Sequence, residues 1–302
     1  MDVRQLKFFL AVVDYGGFSK AAEQLLVAQP SLSQAIAGFE RELGMPLFHR
    51  VGRGAVLSDA GKALVGPARV VLRDIDEAEA AMRALKGLRG GRVDLIAMPS
   101  PGMEPLTTIL TTFAVQHADV TVNVEAGFTP EEVLASVRSG SCEIGILGSP
   151  SPTRAPDLDV VALESQALVL ISGPDDDCRD GPTIHREDLS GCRLIVSQRG
   201  SLMRALVDEV LAEGIEVTIT AEIAHRTSIL PMVVSGLGRA VMPSSWTQSA
   251  ERAGATVQRI VPESYLQVAA VSRRSHLTAP ATALMAVARR YARERENQLA
   301  KA

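Results

Sequence analysis

The chain has 302 residues, 46% of them hydrophobic, a net charge of −4 and three cysteines. That length suits about two domains with ample apolar material for their cores, and the acidic balance excludes a general polyanion binder, so any nucleic-acid contact must be local. Cys142, Cys178 and Cys192 match no zinc or CxxC spacing and read as isolated reduced thiols, so neither a metal nor a cofactor is expected. The first apolar run, 8–13, is too short for a signal peptide, and no stretch approaches the roughly 18 residues of a membrane span, which sets a cytoplasmic expectation.

Val3, Leu6, Leu10 and Val13 predict a first helix, ended by Gly16-Gly17. Ser19 is the expected cap of a short second helix that buries Ala22 and Leu25. Leu32, Ile36, Phe39 and Leu43 then fall on one stripe of a third helix, with Gln29 at the N-cap and Pro30 at the first helical position. Opposite that stripe lie Pro30, Gln34, Ala37 and Arg41, flanked by Ser31, Ser33 and Gly38. Small side chains allow close approach, the Gln34 amide can pair with an adenine edge, and Ser33 can reach a base or a phosphate, so the face suits a DNA major groove. Residues 47–57 read as two short strands around a glycine-rich tip, with Arg50 and Arg53 placed for phosphates or the minor groove. An ordinary three-helix subdomain would share this periodicity, and residues 1–58 hold only six basic against five acidic residues. Placement decides the matter, because both wing arginines lie in a stretch without acids.

Ser58 is the expected cap of a long helix in which Leu64, Ala68, Val71, Ile75, Ala78, Met82 and Leu85 step by alternating fours and threes. A helix packed on its own domain would show a wider stripe, so the narrow seam predicts a dimerisation helix, bent at Pro67. Gly87-Leu88-Arg89-Gly90-Gly91 is the expected hinge after it.

Beyond residue 92, runs at 93–98, 120–125, 144–147, 168–171, 194–196, 217–223, 240–242, 257–260 and 266–271 read as strands. Helical patterns at 104–116, 130–139, 201–213, 227–236, 244–252 and 279–298 alternate with them, so the expected class is α/β with largely parallel sheets. Ligands in such folds sit beyond the carboxyl ends of strands. Candidate contacts are therefore Ser100 after the first strand, Thr129 after the second, Gln198 and Arg199 after a later one, and Thr227 before a helix. Thr129, Pro130 and Glu132 also form a capping box, a purely structural use of the same threonine. His117, His185 and His276 sit in polar contexts as surface residues, and Gly236-Leu237-Gly238 reads as a helix end. No GxSxG elbow, Walker loop or HExxH argues for catalysis.

The first 65 or so residues resemble the winged helix-turn-helix of LysR-type transcriptional regulators. The resemblance runs through Leu6-Lys7-Phe8-Phe9, Ser19-Lys20-Ala21-Ala22, Gln29-Pro30-Ser31-Leu32-Ser33, Glu40-Arg41-Glu42-Leu43-Gly44, Leu47-Phe48-His49-Arg50 and Leu57-Ser58-Asp59-Ala60-Gly61. It implies DNA contacts at Gln29, Pro30, Ser33, Gln34, Arg50 and Arg53, with Ser19, Ser31 and Arg41 beside them on the same surface. Position 34 is often arginine in the family and is Gln34 here, which alters the expected base preference. The implied organisation is a winged helix-turn-helix over 1–58, a linker helix and hinge over 59–91, and a two-lobed, periplasmic-binding-protein-like effector domain over 92–302. Its lobes would be 92–162 with 268–302, and 163–267. In the family, residues matching Ser100 and Thr129 line the effector pocket and frequently hold a carboxylate. The implied partners are double-stranded DNA, a small-molecule effector, a second copy of the chain in a dimer or dimer of dimers, and RNA polymerase. Two other readings were weighed. A binding or transport-type protein with an accessory helical domain is disfavoured by the wing arginines and the heptad seam. A peroxide sensor is disfavoured because Gly200-Ser201-Leu202-Met203, where such members carry a reactive cysteine, holds no thiol.

Overall fold

A computed structural model of the chain describes residues 1–302 apart from 52–53, 86–89, 177–180, 200 and 300–302. The N-terminal part runs α1 (Val3–Asp14), α2 (Phe18–Gln24), α3 (Gln29–Leu43), β1 (Phe48–Val51), β2 (Gly54–Leu57) and α4 (Asp59–Leu85). A reciprocal cap starts α1: the Gln5 N–H donates to Asp2 Oδ1 at 2.8 Å and the Asp2 N–H to Gln5 Oε1 at 2.7 Å. Two starts differ from expectation. Gly17, not Ser19, is the N-cap of α2, and Ala28, not Gln29, is the N-cap of α3, so Ser19 and Gln29 both lie inside helices. Gly17 sits at φ 153°, a backbone conformation that glycine adopts far more readily than other residues.

Leu6, Phe9, Leu10, Ala22, Leu32, Ile36, Phe39 and Leu47 form one buried cluster, so the stripe of α3 faces inward as its spacing predicts. Each such side chain contributes on the order of 2 kcal/mol of burial. The wing is fixed to this core by Phe48, whose ring lies 5.5 Å from both Phe9 and Phe18. The Glu40 carboxylate accepts from the Leu47 and Phe48 N–H groups at 2.7 and 3.1 Å, which sets how α3 turns into β1. Ser58 caps α4 as expected, accepting from the Gly61 N–H at 3.0 Å while its hydroxyl donates to the Pro46 carbonyl at 2.6 Å.

The heptad seam needs a correction. Ala68 is buried in the N-terminal core, and Leu64 packs against that core from α4. Both are therefore committed within the chain, and an Arg69–Asp14 ion pair ties the same turns to α1. Val71 and Ala78 are exposed and Ile75 is half-buried, while the side chains of Met82 and Leu85 and the hinge residues Gly87, Leu88 and Arg89 lie outside the described set.

The C-terminal part runs β3 (Gly91–Ala97), α5 (Pro99–Met103), α6 (Leu106–Gln116), β4 (Val120–Ala126), α7 (Pro130–Ser139), β5 (Ile144–Ser149), β6 (Leu158–Ser172), β7 (Thr183–His185), β8 (Arg193–Ser197), α8 (Leu202–Ala212), β9 (Thr218–Ile223), α9 (Ile229–Val234), β10 (Ala240–Pro243), α10 (Thr247–Arg252), β11 (Thr256–Val261), β12 (Tyr265–Arg273) and α11 (Ala279–Leu299). Strands β4, β3 and β5 are parallel, but β12 pairs antiparallel with both β5 and β6, and β6 pairs antiparallel with β10 and β11. The sheet is thus mixed, where a largely parallel one was expected. The cause is the length of β6, whose residues 158–167 pair with β12 in the first lobe and whose residues 168–172 pair with β10 and β11 in the second. At Val268/Ala269 the register shifts past Leu163, whose side chain is buried. Beyond this point β10 carries the order on to β8 through paired backbone bonds between Arg239 and both Arg193 and Ile195, each 2.8 Å. Two lobes result, one packed around β3, β5 and α11 and the other around β6, β8, β10 and α8.

Gly61 in the first turn of α4 has no room for a side chain. An added Cβ would strike the Leu47 carbonyl and the Leu57 side chain. Gly61→Ala is expected to destabilise the N-terminal domain by about 1–3 kcal/mol. A urea midpoint equal to that of the parent chain would show that this contact is slack.

Candidate DNA-reading face and effector cleft

Because Leu32, Ile36 and Phe39 take α3 into the core, its other side is turned out. Gln29, Pro30, Ser31, Gln34, Ala37 and Arg41 are exposed together, and Ser19 is exposed on α2. Gln29 Nε2 donates to Ser33 Oγ at 2.9 Å, which leaves the Gln34 amide as the exposed amide of the face without such a bond on that turn. No side chain caps α3; the Ser31 and Leu32 N–H groups donate to the Ala28 carbonyl at 2.9 and 3.1 Å and Pro30 has none to offer, so the exposed side chains carry the polar groups of this face. Arg41 Nε bonds the Ala37 carbonyl at 3.2 Å and holds its guanidinium along the helix. Arg53 and the side chain of Arg50 lie outside the described residues.

The second candidate region lies between the lobes. Ser100, on α5 beyond the carboxyl end of β3, is fully buried, and its hydroxyl accepts from Arg226 Nη1 at 2.8 Å. Arg226 belongs to the other lobe, at the start of a short 3-10 turn over Arg226–Ser228 that leads into α9. Met103 of α5 packs with Ile229 and Val233, so the lobes also touch through apolar side chains. Burial alone pushes the Arg226 guanidinium down to about 10, and among the described residues no carboxylate pairs with it. Arg226 is half-buried, its hydrogen-bond partner among the described residues is a neutral hydroxyl, and an anion is the group that would match its charge. Ser197, at the carboxyl end of β8, adds a buried hydroxyl with no partner.

The other candidate contacts divide. Thr129 is the capping residue of α7: its hydroxyl oxygen accepts from the Glu132 N–H at 3.2 Å, and Glu132 in turn accepts from the Phe128 and Thr129 N–H groups. Gln198, Arg199 and Thr227 are exposed, and no bond joins them to Ser100.

Residues 86–293 match the LysR substrate binding domain, and residues 3–62 match the bacterial regulatory helix-turn-helix protein, lysR family. The chain belongs to the LysR family of transcriptional regulators. A probable RuBisCO transcriptional regulator of Trichormus variabilis is 30% identical over 246 residues, 80% of this chain and 73% of its own. The regulator CbbR of Rhodospirillum rubrum is 30% identical over 240 residues, 78% of this chain and 77% of its own. The crystal structure of full-length CbnR complexed with target DNA shares the fold, with a TM-score of 0.66 at 24% identity, covering 97% of this chain and all of CbnR. This LysR-type regulator is accordingly a DNA-binding protein with an effector-binding domain.

Arg226 is the residue that sequence reasoning passed over in favour of its neighbour Thr227. The only local signal was a lone arginine before a helix, and its burial follows from the packing of the second lobe on α5. Cys142 is buried, and burial pushes its thiol up to about 11, so at neutral pH it carries little thiolate for redox chemistry. Among the described residues no helix is long and apolar enough to cross a membrane.

The Ser100–Arg226 contact predicts an asymmetry between its two ends. Ser100→Ala removes the hydrogen bond of a half-buried guanidinium and is expected to lower unliganded stability by about 1 kcal/mol, whereas Arg226→Gln relieves the desolvation of that charge and leaves the melting temperature equal or higher. Calorimetry on both variants reads the order directly, and the opposite order would show that Arg226 is not an unsatisfied charge.

Proposed function

We propose that this LysR-type regulator responds to an anionic effector held between its lobes, with Ser100 and Arg226 as the anchoring pair and Thr129, Gln198, Arg199 and Thr227 around the opening. The observation that carries this reading is the half-buried Arg226 guanidinium, desolvated and without a carboxylate partner among the described residues, bridging to Ser100 across the cleft. A carboxylate there would replace a neutral acceptor with a charged one and change how tightly the lobes close. Closure shifts the lobes only to the extent that the effector prefers one state, so the response is a population shift coupled to DNA binding. The lobe limits 92–162 with 268–302 and 163–267 fit this, since they fall beside the register shift at Leu163.

DNA is read by α3 through Ser31, Ser33 and Gln34, with Gln29, Pro30 and Ser19 positioning the helix and Arg41, Arg50 and Arg53 neutralising phosphates. The chain acts as a homodimer paired along Val71, Ile75, Ala78, Met82 and Leu85, and as a dimer of dimers, so that two half-sites are engaged at a spacing the linker helices set. It works in the cytoplasm, meets RNA polymerase at its promoters and catalyses no reaction.

Two experiments separate the roles. A thermal-shift screen of mono- and dicarboxylates on the full chain is expected to find stabilisers whose effect Arg226→Gln abolishes; stabilisation that survives the substitution would place the effector elsewhere. In footprints across a salt series, Gln34→Ala is expected to change base preference at one position, whereas Arg53→Ala weakens all sequences and lowers the salt slope by about 1. Identical behaviour of the two variants would defeat the division between base reading and phosphate contact.

A further inference from the structure

A second buried cationic feature lies where the linker helix meets the effector domain. Arg73 of α4 and Arg273, the last residue of β12, converge over Gly140, the left-handed residue that ends α7. Arg73 Nη1 donates to the Gly140 carbonyl at 2.9 Å, and Arg273 Nη2 donates to the His276 carbonyl at 3.1 Å. The remaining donors are orphaned: Nε and Nη2 of Arg73, and Nε and Nη1 of Arg273, are buried without hydrogen-bond partners. Burial lowers both guanidinium groups from the ordinary arginine value; Arg69 beside Arg73 and Arg73 beside Arg273 push the same way, while the Glu143 and Asp74 carboxylates offset part of it for both.

The carboxylates nearby are engaged elsewhere. Glu143 is buried and accepts from the Thr278 N–H at 2.8 Å and the Thr278 hydroxyl at 3.1 Å. Asp94 accepts from Arg92 Nη2 at 2.6 Å and from Asn123 Nδ2 at 3.1 Å, and Asp74 is exposed. Arg273 also borders a cavity of about 1020 Å³ whose lining includes Arg154, Arg274, Arg289 and His276 against one acid, Asp159, already paired with Arg289. Four orphaned, charged donors beside a cationic cavity are what a fork-type oxyanion site presents when no anion occupies it.

We propose that the Arg73–Arg273 joint is a second anion site, taking a small, multiply charged oxyanion of the phosphate class and clamping the linker helix to the first lobe. It is separate from the Ser100–Arg226 cleft. Ser272 pairs with Ile144, the first residue of β5, whereas Ser100 follows the end of β3, which runs parallel to β5. Ile144 is level with Leu95 of β3, five residues before Ser100, so the two sites lie toward opposite ends of these strands.

The test is thermal unfolding of the full chain in inorganic phosphate against chloride at equal ionic strength. At about ten times its Kd, phosphate is expected to raise the melting temperature by roughly 3–6 °C over chloride. Arg73→Gln and Arg273→Gln should each abolish that rise without lowering the melting temperature in chloride, while Arg226→Gln should keep it. The two joint variants lie on different elements, so a folding failure of one leaves the other to decide. No phosphate-specific rise, or a rise that persists in a folded joint variant, overturns the proposal. So does a rise lost only with Arg226→Gln, which would put the phosphate in the cleft.

Discussion

The antiparallel pairing of β6 with β12 is the constraint from which the rest of the effector domain follows. Strand β6 runs on from this pairing into the second lobe, where it pairs with β10 and β11, so the lobes share one hydrogen-bonded spine. The register shift at Val268/Ala269 leaves Leu163 unmatched and lets the spine twist locally without breaking. Everything at the cleft hangs from that bend. It brings α5, at the end of β3, opposite the turn that opens with Arg226, and so sets a buried serine against a desolvated guanidinium. A continuous strand between the lobes restrains how they can move, which is what an effector needs if its binding is to reach the linker helix and not dissipate in loop motion.

Helix α4 answers to two masters, and its sequence carries both demands. Leu64 and Ala68 complete the core of the reading head, and Arg69 pairs with Asp14 beside them. One turn further on, Val71 is exposed and Arg73 reaches Gly140 of the effector domain. Pro67 falls between these uses and removes one backbone bond there, a natural place for a change of helix direction. The seam reads as unbroken because leucine and alanine suit an intramolecular contact as well as an intermolecular one. Spacing identifies a buried stripe and does not name what buries it.

The same distinction governs what was legible elsewhere. The inward stripe of α3, the Ser58 cap and the Thr129 capping box were readable because each rests on side chains within four residues of one another. The failures needed distant partners. Residues 158–167 of β6 alternate weakly and pair only with β12, whereas 168–171 lie between β10 and β11, so only that apolar end reads as strand. The antiparallel return of β12 leaves no mark in its own composition, which is why the sheet was taken as largely parallel. Ser100 could be placed by the rule that ligands gather at carboxyl ends of strands. Arg226 could not, because arginine before a helix is nearly always solvated and only the opposite lobe desolvates it.

Both cationic features share an energetic logic. An arginine held away from water with only neutral acceptors raises the free energy of the conformation that buries it, by an amount that vanishes when an anion arrives. Such a conformation is poised: it is disfavoured enough to open without ligand and favoured enough to close with it. At the cleft this poise resides in Arg226, and at the linker joint in Arg73 and Arg273, whose mutual repulsion adds to the burial cost. A regulator must hold two arrangements of its reading heads within a few kcal/mol of each other, because a ligand can shift an equilibrium only by its differential affinity. Buried, under-partnered arginines are a means of setting that small gap in a fold whose apolar cores would otherwise lock one arrangement in place. Their positions, one between the lobes and one between the lobes and the DNA arm, are the two joints through which such a change has to pass.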